Sequence, residues 1–123
     1  MTGAAAHLAI GRAAEDAACR ELERLGYRLL ARNVRARGGE LDVVAIEHGV
    51  LALVEVRFRA RDDFGTAAES ITPRKRARWV RAARELLARE PALARLPARF
   101  DLVEVDGTPD DLTCRVTRAA FSL

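Results

Sequence analysis

The chain has 123 residues, of which 50% are hydrophobic and 32% charged, with a formal net charge of +3 at pH 7. This composition excludes a disordered chain, and the length predicts one domain over residues 1–123 with a single core. We expect neither a signal peptide nor a membrane span, which needs about 20 apolar residues in a row. Cys19 and Cys114 lie far apart, so we expect reduced thiols and a cytoplasmic protein.

The basic residues are almost all arginine. Lysine occurs once, at Lys75, among 21 basic residues. A modest positive charge is typical of proteins that contact a polyanion, although arginine bias also arises from genome composition. The balance alone does not separate these explanations.

The first predicted element is a helix from about Ala5 to Gly26. Cys19 and Leu22 lie on one apolar stripe at helical spacing, and Gly26 is a typical helix stop. Glu15 lies in the middle of that apolar face, where an unpaired charge is costly to bury. It therefore either pairs with an arginine or lines a site between the helix and the sheet.

A strand and a β-hairpin are predicted next. The strand covers Tyr27–Val34, and a flexible basic turn over Arg35–Gly39 follows it. The hairpin strands are Leu41–Ile46 and Val50–Val56, two β-branched, apolar runs that flank a two-residue turn at His48-Gly49.

This hairpin would bring Asp42 and Glu55 face to face. If Glu47 pairs with Val50, Asp42 lies opposite Glu55, and because side chains alternate between the faces of a strand, both point to the same side. Opposed like charges are destabilising unless something compensates them. A divalent cation such as Mg²⁺ or Mn²⁺ would do so. Arg57, two residues after Glu55, points to the same face.

Two alternatives stay open from the residues alone. The same register places Glu40 opposite Arg57, so the charges could form a structural ion-pair cluster at the end of the sheet. A three-residue turn would instead slip the pairing by one residue and place Asp42 opposite Val54.

The second half of the chain predicts a helix and two strands. A helical region opens at Gly65 and restarts at Thr72, which can cap it with Pro73 in the first helical position. Strands follow over Arg99–Val105 and, near an edge, Leu112–Thr117. The order α-β-β-β-α-β-β indicates an α/β fold with a mixed β-sheet flanked by α-helices. The buried face of the second helix is predicted to contain Trp79, Val80, Ala83, Leu86 and Leu87.

These motifs, taken in order, resemble the YraN family of small bacterial proteins. The resemblance rests on motifs of the first half of the chain, namely Glu15, Arg32-Asn33, Gly39-Glu40-Leu41-Asp42 and Val54 to Arg59. It extends over nearly the whole chain through a second set, namely Lys75, Arg99-Phe100-Asp101 and Ala120-Phe121.

That family is similar to the restriction-endonuclease-like superfamily, and most of all to archaeal Holliday junction resolvases. The resemblance implies a restriction-endonuclease-like fold in which a helix Glu, a strand Asp and an E-x-K motif surround a divalent metal. Glu15 matches the helix acid, Asp42 the strand acid and Glu55 the Glu of E-x-K. The main-chain carbonyl of Val56 is the implied further metal ligand. Arg57 stands where the pattern has lysine; arginine cannot act as a base, but it can stabilise charge on a phosphate.

The resemblance implies a metal-dependent, nuclease-like protein that acts on structured or branched DNA, with Mg²⁺ or Mn²⁺ as cofactor. Asp42 and Glu55 would hold the cation. Glu15 would bind one of its waters or a second ion, and Arg57 would clamp the phosphate. A non-catalytic nucleic-acid-binding protein and an interaction adaptor in DNA transactions are the alternatives, and resolvase-like relatives suggest a homodimer. The DNA backbone would contact the basic residues Arg35, Arg37, Arg59, Arg61, Arg74, Lys75 and Arg78.

Overall fold

The computed structural model describes residues 3–58 and 71–121, and the side chains of residues 11–58 and 71–121. Its elements are α1 (Gly3–Arg24), β1 (Arg28–Ala36), β2 (Gly39–Glu47), β3 (Val50–Phe58), α2 (Pro73–Arg89), α3 (Pro91–Ala94), β4 (Ala98–Thr108) and β5 (Asp111–Phe121). The strands form one sheet in the order β1-β2-β3-β4-β5, with β3 and β4 parallel and the other neighbours antiparallel. The predicted α/β fold and mixed sheet are confirmed, with the short helix α3 added to the predicted order.

Both faces of the sheet are buried, each by one helix. On one face, Val44 and Leu53 pack against Trp79 and Ala83 of α2. On the other face, α1 packs through a separate set of contacts, which joins Ala14, Ala18 and Leu22 to Val43, Val54 and Val103. Neighbouring strand residues therefore face different helices, as the alternation of side chains requires. No helix within the described ranges is long and apolar enough to cross a membrane.

The hairpin has the predicted register. Glu47 pairs with Val50, and the pairing continues to Val43 and Val54. His48 and Gly49 connect the strands with φ angles of 51° and 77°. Positive φ at both turn residues matches the right-handed twist of the flanking strands, which is why such two-residue turns are favoured. The alternative register, slipped by one residue, is therefore wrong.

One local prediction is wrong, a second is confirmed in part, and a third lies outside the described residues. The flexible turn over Arg35–Gly39 is a tight one, because β1 continues to Ala36 and β2 begins at Gly39. On α2, Ala82 is buried together with Trp79, Ala83 and Leu86, whereas Val80 and Leu87 lie half-buried at the edges of the stripe. The helical region predicted from Gly65 falls in the undescribed range 59–70.

A buried charged network closes the turn end of the hairpin. Asp101, which has no exposed surface, accepts hydrogen bonds from the Tyr27 hydroxyl at 2.7 Å and from Arg99 Nε at 2.8 Å. Glu47 binds Arg99 and also Arg118, whose Nη2 lies 2.6 Å from Glu47 Oε2. The hydrogen bonds from the two arginines lower the pKa of Glu47 to about 2, and burial raises the pKa of Tyr27 to about 12. Every charge of the network has an opposite partner, as burial of charged groups requires.

Candidate metal and phosphate site

The carboxyl groups of Asp42 and Glu55 lie in hydrogen-bond contact at the open end of the hairpin. The β2–β3 pairing extends to Val43 and Val54. Just beyond it, the Val56 N–H donates to Asp42 Oδ2 at 2.9 Å. In a continued antiparallel ladder this N–H would donate its hydrogen bond to a backbone carbonyl of β2. Here the Asp42 side chain accepts that hydrogen bond instead. Both acids are half-buried, and they lie side by side, as the register predicts.

Burial and repulsion make this pair hold a proton. Burial is the largest cause that raises the pKa of Glu55 to about 9, and the charge of Asp42 is the second. Burial also raises the pKa of Asp42, although the Val56 N–H opposes that rise. At neutral pH the two carboxyl groups therefore share one proton. A divalent cation would displace this proton and remove the repulsion, so the oxygen ligands present fit Mg²⁺ or Mn²⁺.

The carboxylate pair opens into a cavity of about 270 Å³, named the carboxylate cavity below. Strand β3 contributes Glu55 and Arg57 to its wall, and helix α2 contributes Lys75 and Arg78. Arg57 is the cation that lowers the pKa of Glu55 most, and Lys75 is the next, so both charges act directly on the pair. The remaining lining residues are Gly39, Glu40, Asp42 and Trp79. Carboxylates beside cations suit a ligand that combines a metal ion with a phosphate.

Glu15 approaches this site from α1, but its carboxylate is held by two neighbours on β1. Its Oε1 accepts hydrogen bonds from Asn33 Nδ2 at 2.9 Å and from Arg32 Nε at 3.1 Å. Glu15, Arg32 and Asn33 also line a second cavity of about 400 Å³, which shares Asp42 with the carboxylate cavity. Glu15 therefore has the arginine partner of the first alternative. It also lines a cavity, and its place in a functional site stays a prediction.

The ligand set at the hairpin is small. Among the described side chains, those of residues 11–58 and 71–121, no three or more from His, Cys, Asp and Glu gather in a group that could hold a metal ion. Asp42 and Glu55 would therefore bind a cation as a pair. Mg²⁺ is commonly bound in this way, through one or two carboxylates with water and substrate phosphate as its other ligands.

A basic groove continues from the carboxylate cavity along the turn between β1 and β2. Arg35, Arg37, Arg78 and Arg81 line it, it encloses about 580 Å³, and it shares Arg78 with the carboxylate cavity. A Cβ atom at Gly38 would lie 2.8 Å from Cβ of Arg81. The glycine therefore allows the turn to pack directly against α2, which brings arginines from two elements into one groove.

The structure gathers part of the basic set that the sequence predicts. Arg35, Arg37, Lys75 and Arg78 line the carboxylate cavity or the basic groove. Arg74 is exposed on α2 and lines neither, and the predicted contacts Arg59 and Arg61 lie outside the described residues. The sequence indicates no site role for Arg12, Arg32 and Asn33 of the second cavity. It does place the groove residue Arg81 on one stripe of the second helix with Arg74 and Arg78, and clustered arginines of this kind can follow a phosphate backbone. The spacing of three residues between Arg78 and Arg81, which places them on one helix face, was the available indication for Arg81.

The comparison with protein families gives a clear match. The profile described as "Uncharacterised protein family UPF0102" matches residues 14–105, a range that contains Glu15, Asp42 and Glu55. The chain belongs to this family. UPF0102 is the YraN family, so the family assigned from the motifs is confirmed.

Several UPF0102 proteins are similar over most of their length. One from Xylella fastidiosa strain 9a5c is 49% identical over 113 residues, which are 92% of each chain. One from Symbiobacterium thermophilum is 46% identical over 116 residues, 91% of this chain and 95% of its own. One from Xanthomonas campestris pv. campestris strain B100 is 50% identical over 99 residues, 80% of this chain and 81% of its own. These names give a family and no activity.

Proposed function

We propose that this UPF0102 protein is a metal-dependent, nuclease-like protein that binds structured or branched DNA and hydrolyses its phosphodiester bonds. The observation that carries the proposal is the contact between the half-buried carboxyl groups of Asp42 and Glu55. A strongly perturbed pKa in a cleft with a specific charge partner is typical of functional sites. The resemblance to the restriction-endonuclease-like superfamily, including the resolvases, supports the same chemistry on an α/β fold.

In this proposal the carboxylates and the nearby cations have separate tasks. Asp42 and Glu55 would hold Mg²⁺ or Mn²⁺, with the Val56 carbonyl as the predicted third protein ligand. When bound, the cation polarises the phosphate and lowers the pKa of an attacking water. Arg57 offers a planar fork of N–H donors that can bind two phosphate oxygens and stabilise the charge that develops on them. Glu15, beside Asp42 in the second cavity, would accept a hydrogen bond from a water at the site.

The basic groove would position the DNA backbone. Its turn is attached to α2 by two hydrogen bonds: the Arg37 N–H donates to Glu85 Oε2 at 2.9 Å, and Arg89 Nη2 donates to the Arg35 carbonyl at 3.3 Å. The groove is therefore formed before DNA binds, and little ordering of the turn opposes binding. Because each neutralised phosphate releases counterions, affinity for DNA should fall steeply as salt rises. Binding that is flat across a salt titration would instead favour the interaction adaptor.

The experiment that tests this proposal is cleavage of junction, flap and single-stranded DNA, with Mg²⁺ and then with Mn²⁺. We expect cleavage by the unaltered protein, and its loss in Asp42→Asn and in Glu55→Gln while DNA binding is largely kept. Glu40→Gln is the matched control, because Glu40 is an exposed acid that lines the same cavity without belonging to the pair. Cleavage that persists in both pair variants contradicts the proposal and points to a contaminating nuclease.

A second candidate is a nucleic-acid-binding protein that kept the fold and lost the chemistry. The observation in its favour is Arg57 in the place of the superfamily's lysine. In that case the unaltered protein binds DNA without cleaving it, and Asp42→Asn strengthens binding because it removes a negative charge beside the phosphate path. The homodimer and the cytoplasmic location stay predictions.

A further inference from the structure

Lys75 is the only lysine of the chain, and it lies in the wall of the carboxylate cavity. It is half-buried, whereas its α2 neighbours Arg74, Arg76 and Arg78 are exposed. Asp42 and Glu55 line the same cavity, so the lysine lies beside the carboxylate pair. A chain that uses arginine almost everywhere therefore keeps its one ammonium group beside the carboxylate pair.

The start of α2 fixes the position of Lys75. Thr72 is the N-cap, and its Oγ1 accepts a hydrogen bond from the Lys75 N–H at 3.2 Å. Pro73 restricts the backbone at the start of the helix. Two turns of packing follow, in which Trp79 and Ala83 are buried against the sheet. The cap and this packing therefore hold the backbone of Lys75 in place at the wall of the carboxylate cavity.

Lysine and arginine are not interchangeable at a site of phosphate hydrolysis. An ammonium group is a compact charge with three rotatable donors, whereas a guanidinium is a rigid planar fork. On β3, two residues after Glu55, Arg57 supplies the guanidinium, and on α2 Lys75 supplies the ammonium group. Both project into one cavity, so the two tasks can be divided between strand and helix.

We propose that Lys75 is a catalytic residue of this site, and that its ammonium group contacts the reacting phosphate in place of the lysine that Arg57 replaces. This inference rests on the proposed function. In the hydrolysis, the water oxygen forms a bond to phosphorus while one P–O ester bond breaks. A water proton passes to solvent, and the leaving oxygen takes a proton from solvent. Lys75 takes no part in these proton transfers; it donates hydrogen bonds to the phosphate oxygen on which negative charge develops.

The test is an exchange of the lysine between helix and strand. Lys75→Ala should lower kcat for DNA cleavage about 100-fold, the usual effect of removing one donor to a developing charge, with a change in the Kd for DNA below about threefold. Adding Arg57→Lys to Lys75→Ala should restore most of kcat, because the ammonium then enters the same cavity from β3. Arg84→Ala is the matched control, since Arg84 is an exposed cation on the same helix, and it should leave kcat unchanged.

Three results in the variants would overturn the role of Lys75 alone. They are a kcat within threefold of the unaltered protein in Lys75→Ala, a loss confined to Kd, and a double variant that recovers nothing although circular dichroism shows it folded. Absence of cleavage by the unaltered protein, in Mg²⁺ and in Mn²⁺, would overturn the proposed function and the role of Lys75 with it. Cleavage that survives Lys75→Ala overturns only the role of Lys75.

Discussion

Replacing Glu55 by glutamine should stabilise the metal-free protein, and the gain should grow with pH. In the unfolded chain Glu55 loses its proton near the ordinary pKa of 4.5, whereas in the folded protein it keeps the proton to about pH 9. Between these values the folded state binds more protons than the unfolded state, so stability falls as pH rises. At 1.36 kcal/mol per pH unit, the loss reaches about 3 kcal/mol at pH 7. Glutamine has the same shape and an N–H donor for Asp42, but it does not titrate, so the variant does not lose this stability as pH rises.

The assay is urea unfolding in EDTA at pH 5, 7 and 8.5. With an m-value of about 2 kcal/mol/M, Glu55→Gln should raise the unfolding midpoint by about 1.5 M at pH 7, and by less than about 0.5 M at pH 5. Added Mg²⁺ should stabilise the unaltered protein and not the variant. Glu40→Gln is the control, because Glu40 is an exposed acid of the carboxylate cavity. It should change the free energy of unfolding by less than about 0.5 kcal/mol at each pH. A variant that is less stable than the unaltered protein at pH 7 would refute the shared proton.

Three further changes test the rest of the structure. Tyr27→Phe removes a hydrogen bond to buried Asp101 and should cost about 1.5 kcal/mol in urea unfolding; no change would mean that the network does not depend on the hydroxyl. The pKa of Glu47 is depressed to about 2 in the folded protein, so its contribution to the free energy of unfolding is present above pH 4.5 and is lost as pH falls towards 2. In Glu47→Gln the free energy of unfolding should therefore depend less on pH between 4.5 and 2. An unchanged acid transition would contradict the pairing of Glu47 with the arginines. Gly38→Ala places a Cβ atom 2.8 Å from Cβ of Arg81. It should lower the free energy of unfolding by about 1–3 kcal/mol and weaken DNA binding at low salt. An unaltered melting temperature would show that the turn does not pack on α2.

The hairpin was predictable because its determinants are local. Two β-branched runs and the His48-Gly49 turn fix the register, and the register places Asp42 beside Glu55 without reference to the rest of the chain. The helix cap at Thr72 was predictable for the same reason, because it depends only on Thr72 and the following Pro73.

Features that depend on contacts between distant residues were not predictable. Tyr27 and Asp101 are 74 residues apart in the chain, and neither position carries a local pattern that indicates a buried pair. The turn after β1 was predicted to be loose because glycine and arginine are common in loops. Ala36 pairs with Gly39, so the turn has only two residues, and Gly38 approaches Arg81 of α2, a contact that only the packed fold creates. The place of Lys75 in the cavity wall likewise depends on how α2 packs on the sheet.

The most direct test of the account is an anomalous-diffraction map of crystals soaked in Mn²⁺. We predict one strong peak bonded to a carboxylate oxygen of both Asp42 and Glu55, at about the 2.1 Å of hard octahedral sites. The hydrogen bond between the two carboxyl groups should be gone in that structure. Carboxyl groups that stay in contact with each other, with no peak between them at saturating Mn²⁺, would contradict the metal site and the hydrolysis proposed from it.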